Sequence, residues 1–171
     1  MRRSILLIIF AYFITMNSSN AVFACNCIGE ESVKAAFRKY DIIVIGKVMS
    51  IENITIPYKN DLIQDRHQAK LSVFNFHFKK VTLEVRKIYK GKIKTEIIEI
   101  ITGQGRGDCG FPFQIGETYL IYSSFENTYF EQGEKVSNYL FTDICSRTTH
   151  DFIQETAAIK KEIKRLRWRL N

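Results

Sequence analysis

Residues 25–27 read Cys25-Asn26-Cys27, directly behind Val22-Phe23-Ala24. The segment before them has three parts: basic Arg2-Arg3, a short apolar run from Ile5 to Ile14, and polar Asn17 to Asn20. That order, with Val22 and Ala24 at the third and first positions before a cleavage point, is the pattern of a secretory signal. The apolar run falls short of the roughly 18–20 residues that a membrane span needs. Residues 1–24 are therefore expected to be removed, so that the mature chain begins at Cys25. Two alternatives are an uncleaved anchor and a lipoprotein signal. Phe23 fits the latter poorly, and a lipid on Cys25 would forbid a disulfide there. The expected compartment is outside the cytoplasm, secreted and extracellular or periplasmic.

Removal leaves residues 25–171, or 147 of the chain's 171, a single-domain length. The formal charge of +7 falls to about +5 once Arg2 and Arg3 are gone. This mild positive balance permits an anionic partner without demanding one, and no nucleic-acid partner is expected. All four cysteines lie in the mature part. An even count in an exported chain reads as two disulfides, with three connectivities open.

Outward from the cysteine pair, Glu30-Glu31-Ser32 puts acids at a helix start. Val33, Ala36 and Phe37 continue at helical spacing. Ile42 to Val48 reads as a buried strand rich in β-branched residues. Residues 51–71 show no sustained period and contain Pro57, Asn60 and Asp61, which predicts a long loop or loose hairpin. Alternation returns over 73–85 as a long or bent strand ending at Tyr89-Lys90-Gly91. Ile97–Ile101, Thr118–Tyr122 and Asn138–Phe141 are further strands. Gly103 to Gly107 forms a flexible turn before Cys109. About five strands with turn signals between them predict a small antiparallel barrel or sandwich. From about Asp151, one helix face carries Phe152, Ile153, Thr156, Ile159, Ile163, Leu166 and Leu170. The other face carries Lys160, Lys161, Lys164, Arg165, Arg167 and Arg169. The bland reading packs this helix across the barrel with a solvated basic face. The sharper one makes it a site for a membrane surface or polyanion.

Several chemistries find no support. His67, His77 and His150 are scattered and form no HExxH. The cysteines lack the paired short spacings of a structural zinc site. The Gly103 to Gly107 run lacks the Lys-Ser/Thr of a phosphate loop. No enzyme and no cofactor are expected. Asn53-Ile54-Thr55 is a sequon that matters only in a eukaryotic secretory route.

The order of short segments carries a resemblance. Cys25-Asn26-Cys27, Ala36-Phe37, Asp41-Ile42-Ile43-Val44 with Gly46-Lys47-Val48, and Val85 to Gly91 come first. Cys109-Gly110-Phe111, Glu117 to Ile121, and Thr142 to Ser146 follow. Together they resemble the N-terminal domain of the tissue inhibitors of metalloproteinases and, more widely, the netrin-like superfamily. The likeness spans about residues 25–148 and leaves residues 149–171 as an added basic helix. The third disulfide and the cysteine-rich second domain of the animal inhibitors have no counterpart.

The resemblance implies a mainly β fold with flanking helices, an OB-like five-stranded antiparallel barrel. It implies bridges Cys25–Cys109 and Cys27–Cys145. It also implies a mode of action, in which the Cys25 α-amine and carbonyl chelate the catalytic zinc of a secreted or membrane-anchored metalloprotease. Asn26 would enter the substrate side-chain pocket, and Ile28, Gly107 and Asp108 would flank the wedge. The alternative is a netrin-like module that binds an envelope, matrix or polyanionic partner without inhibiting anything.

Overall fold

The computed structural model describes residues 25, 27, 29, 31–59, 73–105, 107–126, 129–131, 134–136 and 139–170. Residues 1–24, and with them the expected signal segment, lie outside these. The element order is α1 (Val33–Lys39), β1 (Ile42–Lys59), β2 (Val73–Lys90), β3 (Ile97–Gly103) and β4 (Thr118–Glu126), then β5 (Tyr129–Glu131), β6 (Glu134–Val136), β7 (Tyr139–Phe141) and α2 (Ile153–Leu170). The protein is mainly β.

Five strands hydrogen-bond in a closed ring of order β1-β2-β3-β7-β4. Four of the pairings are antiparallel, and β3 with β7 is parallel. The expectation of an all-antiparallel arrangement is corrected here, and the reason is parity. Strand direction cannot alternate all the way round a ring with an odd number of members, so one neighbouring pair must run parallel. The chain places that pair where β7, paired over two residues with β3, closes the ring.

Residues 51–59, expected in a long loop or a loose hairpin, belong to β1, as one arm of an antiparallel pair. They pair with 73–81 in register from Ile51↔Val81 to Lys59↔Val73. The weak period of 51–59 is overridden by a partner that alternates strongly, a tertiary effect on strand formation. The rest of that expected segment, residues 60–71, lies outside the described residues. The β5–β6 hairpin was not expected from the sequence.

β1 and β4 bury both faces along 42–44 and 119–122. Ile42, Val44, Val48, Val81, Leu83, Ile100, Tyr119, Ile121 and Leu140 come from all five ring strands and form the interior, with Phe113 beside them. The intervening Ile43, Leu120 and Tyr122 face outward, where Ala36, Phe37 and Tyr40 of the α1 segment and Ile159 of α2 cover them. Two-sided burial is why Ile42-Ile43-Val44 is an unbroken apolar run rather than an alternating one.

α1 starts later than its acidic prelude suggested. Ser32 is the N-cap, its Oγ accepting from the Ala35 amide at 3.2 Å, and no acid lies in the first turn. The end of β2 is tied beneath α1, because Lys90 Nζ donates to the carbonyls of Tyr40 at 2.5 Å and Arg38 at 3.1 Å. Gly91 follows with φ +96°, and a Cβ there would lie 2.2 Å from Ile42 Cδ1, so only glycine fits this turn.

α2 docks through Ile159, with Phe152, Ile163 and Leu166 against the same cluster. Ile153, expected on that face, is 78% exposed; it is the first residue of the helix. Just ahead of α2, Thr149 exchanges two 2.9 Å backbone bonds with Leu120. They satisfy the stretch of β4 that β7 is too short to reach.

Candidate functional site

The N-terminal segment is held at two points by covalent bonds. Cys25 is joined to Cys109 and Cys27 to Cys145, with Cα separations of 5.4 and 5.2 Å. The partners sit on different loops, Cys109 between β3 and β4 and Cys145 after β7. The loops are themselves bonded, because the Ile144 amide donates to the Cys109 carbonyl at 2.9 Å. The segment is thus pinned at alternate residues to two loops that are bonded to each other. Cys25 and Cys27 are half-buried. Asn26 and Ile28, the other expected wedge residues on this segment, lie outside the described residues.

A third tie comes from residues that no sequence pattern marks. Arg147 Nη1 donates to the Glu31 carbonyl at 2.5 Å, while its Nε and Nη2 form a bidentate pair with Glu155 of α2, both at 2.6 Å. Tyr122 Oη donates to the same carboxylate at 2.8 Å. Burial pushes the Glu155 carboxyl up, but the hydrogen bonds from Arg147 and Tyr122 outweigh it and hold it below the ordinary range. Burial first, and the donation to Glu155 second, push the Tyr122 phenol far up, so it remains a donor. The network links the segment after the cysteine pair, the turn after Cys145, β4 and the start of α2. Beneath it, the buried hydroxyls of Thr142, Ser146 and Thr148 bond one another at 2.8–2.9 Å. A cleft of about 440 Å³ opens along this side, lined by Cys27, Gly29, Glu31, Cys145, Arg147 and Glu155 among others.

Gly107 and Asp108 are exposed and lie on the loop that ends at Cys109. Glycine content predicted a flexible turn, but Asp108 organises it. Its carboxylate accepts from the amides of Gln104 at 2.5 Å, Gly105 at 2.7 Å and Gly110 at 3.4 Å. Partial burial raises the Asp108 carboxyl, yet these amide donors dominate and hold it below the usual carboxylate range. The charge beside Cys25–Cys109 is thus spent on the loop's own backbone. Gly110 is required by packing, since a Cβ there would lie 2.0 Å from the Gly103 carbonyl oxygen. Cys109 itself holds φ +61°, the one non-glycine positive φ among the described residues. A left-handed backbone is unfavourable for an L-residue.

The β1–β2 arms reach the same loop. Gln104 Nε2 donates to the Phe78 carbonyl at 2.8 Å and to Asn53 Oδ1 at 3.3 Å. An open groove of about 510 Å³ runs from Asp108 and Gln104 to Phe76 and Phe78, so one face joins the Cys25 platform to the hairpin. Nothing in the spacing of Gln104, Arg147 or Glu155 signalled these roles.

Among the described residues, no three His, Cys, Asp or Glu side chains stand together as a metal-holding group. No helix among them is long and apolar enough to cross a membrane. No protein-family model matches the chain, and no curated protein matches it significantly.

Proposed function

We propose that the chain is a secreted inhibitor of zinc metalloproteases, built on a netrin-like, OB-type fold similar to that of the tissue inhibitors of metalloproteinases. The observation that carries this reading is the double pinning of Cys25 and Cys27 to two mutually bonded loops. If processing frees the Cys25 amine, the first residue becomes a fixed bidentate ligand of amine nitrogen and carbonyl oxygen. A catalytic zinc keeps a position open for such a ligand. The amine must be neutral to bind, and with an ordinary α-amino pKa of about 7.7–8.0 its deprotonation is inexpensive near neutral pH. Rigid anchoring lowers the ordering cost of association. Asn26 would enter the protease's side-chain pocket, Ile28, Gly107 and Asp108 would border it, and the hairpin groove would extend the contact. The chain acts here as a ligand for another protein's metal and performs no catalysis itself.

The test is inhibition by the protein beginning at Cys25, measured on a panel of secreted and membrane-anchored zinc metalloproteases. Inhibition is expected with at least one. A single Ala added before Cys25 should leave fold and disulfides intact and reduce inhibition by orders of magnitude, because rim contacts do not replace a lost ligand in a desolvated site. Asn26→Gly should instead shift selectivity among proteases. Full-strength inhibition by the extended protein overturns chelation. A second reading, a netrin-like binding module for an envelope, matrix or polyanionic partner, is favoured by the cationic outer faces of the two helices.

A further inference from the structure

The charge on the two helices is laid out on one sign. α1 exposes Lys34, Arg38 and Lys39 and contains no carboxylate. On α2, the exposed Ala157, Lys160, Lys161, Lys164, Arg167 and Trp168 recur at steps of one, three and four residues, which places them on one face. Both acids of α2 turn away from that face. Glu155 is held by Arg147 and Tyr122, and Glu162 is buried and paired with Arg165. The outer face of α2 therefore presents four cations and no anion, and none of the four has an ion pair with a described residue. Near its end stands Trp168, 81% exposed and the chain's only tryptophan.

We infer that this face docks on a membrane surface containing anionic phospholipid, with the cations on the headgroups and Trp168 entering the interfacial layer. The lysines alone would suit any polyanion. The indole selects among them, because an amphipathic ring left bare in water gains from the apolar–polar boundary of a bilayer and gains little from a sulfated polysaccharide. The apolar stripe of α2 is already spent on the protein's own core, so the contact is peripheral and electrostatic. The position on the fold suits this role. α2 starts at the cleft beside Cys27 and, over the 18 residues of its span, is roughly 27 Å long at 1.5 Å per residue. Lys160 to Trp168 are its eighth to sixteenth residues, roughly 10–23 Å along the axis from its start, and none of them lines that cleft. The inference stands on the helix face and does not rest on the inhibitor reading.

The test uses the disulfide-bonded chain from Cys25 onward, with vesicles of phosphatidylcholine alone or mixed with phosphatidylglycerol. Co-sedimentation is expected only with the mixed vesicles and should reverse in high salt. Because Trp168 is the single indole, its emission should shift to the blue on binding. Replacing Lys160, Lys161, Lys164 and Arg167 together by Ala should weaken binding by about 600-fold, at roughly fivefold per cation, with an unchanged melting temperature. Trp168→Ala should weaken it severalfold and leave the salt dependence intact. Equal binding to both vesicle types, an unshifted Trp168 spectrum in the bound state, or undiminished binding by the quadruple variant overturns the inference. So does heparin binding without vesicle binding. If the quadruple variant does not fold, the salt and spectral tests on the unaltered chain still decide.

Discussion

The Ile144 amide and the Cys109 carbonyl are 2.9 Å apart, and that one hydrogen bond joins the loops to which the two disulfides are anchored. The bridges thus act on a single platform rather than on two independent ends. Cys25–Cys109 closes 84 residues of sequence separation and Cys27–Cys145 closes 118. Loops of this size correspond to about 4–5 kcal/mol each in the chain-entropy model. Replacing Cys27 and Cys145 by Ser should lower stability by most of that amount in denaturant unfolding. It should also speed amide exchange at Ile144, which a merely local loss at Cys27 would not do.

The Arg147–Glu155–Tyr122 network predicts an acid dependence. The folded Glu155 carboxyl lies below its ordinary value, so the stability it contributes is fully present above that value, near pH 4.3. It is lost as pH falls through the folded pKa. Glu155→Gln should flatten this part of the stability–pH curve. Removing one partner of a largely buried, bidentate pair should cost about 2–3 kcal/mol at neutral pH. Thermal unfolding from neutral pH down to the acid limit checks both. An unchanged acid slope in the variant would show that other carboxylates carry it.

Asp108 and Gly110 shape the loop at Cys109 by different means. Asp108→Ala removes the acceptor of three backbone amides and should cost about 1–2 kcal/mol, the scale of a lost cap. Faster exchange is expected at Gln104 and Gly105. Asp108→Asn keeps part of the acceptor geometry and should cost less. Gly110→Ala should be the most damaging of the three. Its Cβ meets backbone rather than a movable side chain, and a forced backbone shift costs about 3 kcal/mol or more. Impaired formation of Cys25–Cys109 on oxidative refolding would be its direct sign.

Two isoleucines of α2 separate the packed face from the free one. Ile159 is fully buried and Ile153 is 78% exposed. Ile159→Ala should cost about 2–5 kcal/mol, and Ile153→Ala should stay within about 0.5 kcal/mol. Truncation after Thr149 should exceed the Ile159→Ala effect in melting temperature. Equal small effects from both substitutions would mean that α2 does not hold the fold together.

Local chemistry determined much of this protein without any structure. The apolar run at 42–48 and the alternation over 73–85 made strands legible, because burial on two faces or one leaves its period in the residues themselves. The stripe of Phe152, Ile159, Ile163 and Leu166 marked a docked helix for the same reason. An even cysteine count called for two bridges, but the pairing entered through resemblance, since count alone leaves three choices. Only the tertiary structure decided the rest, and it did so through contacts between residues distant in the chain. Residues 51–59 are strand because 73–81 pair with them. One strand pair is parallel because five strands close a ring. Arg147 meets Glu31 and Glu155, and Gln104 meets Asn53 and Phe78, because the ring carries those backbones to one end. Charge and hydrogen-bonding capacity are properties of a residue, but a partner is a property of the fold, and no spacing in the sequence records it.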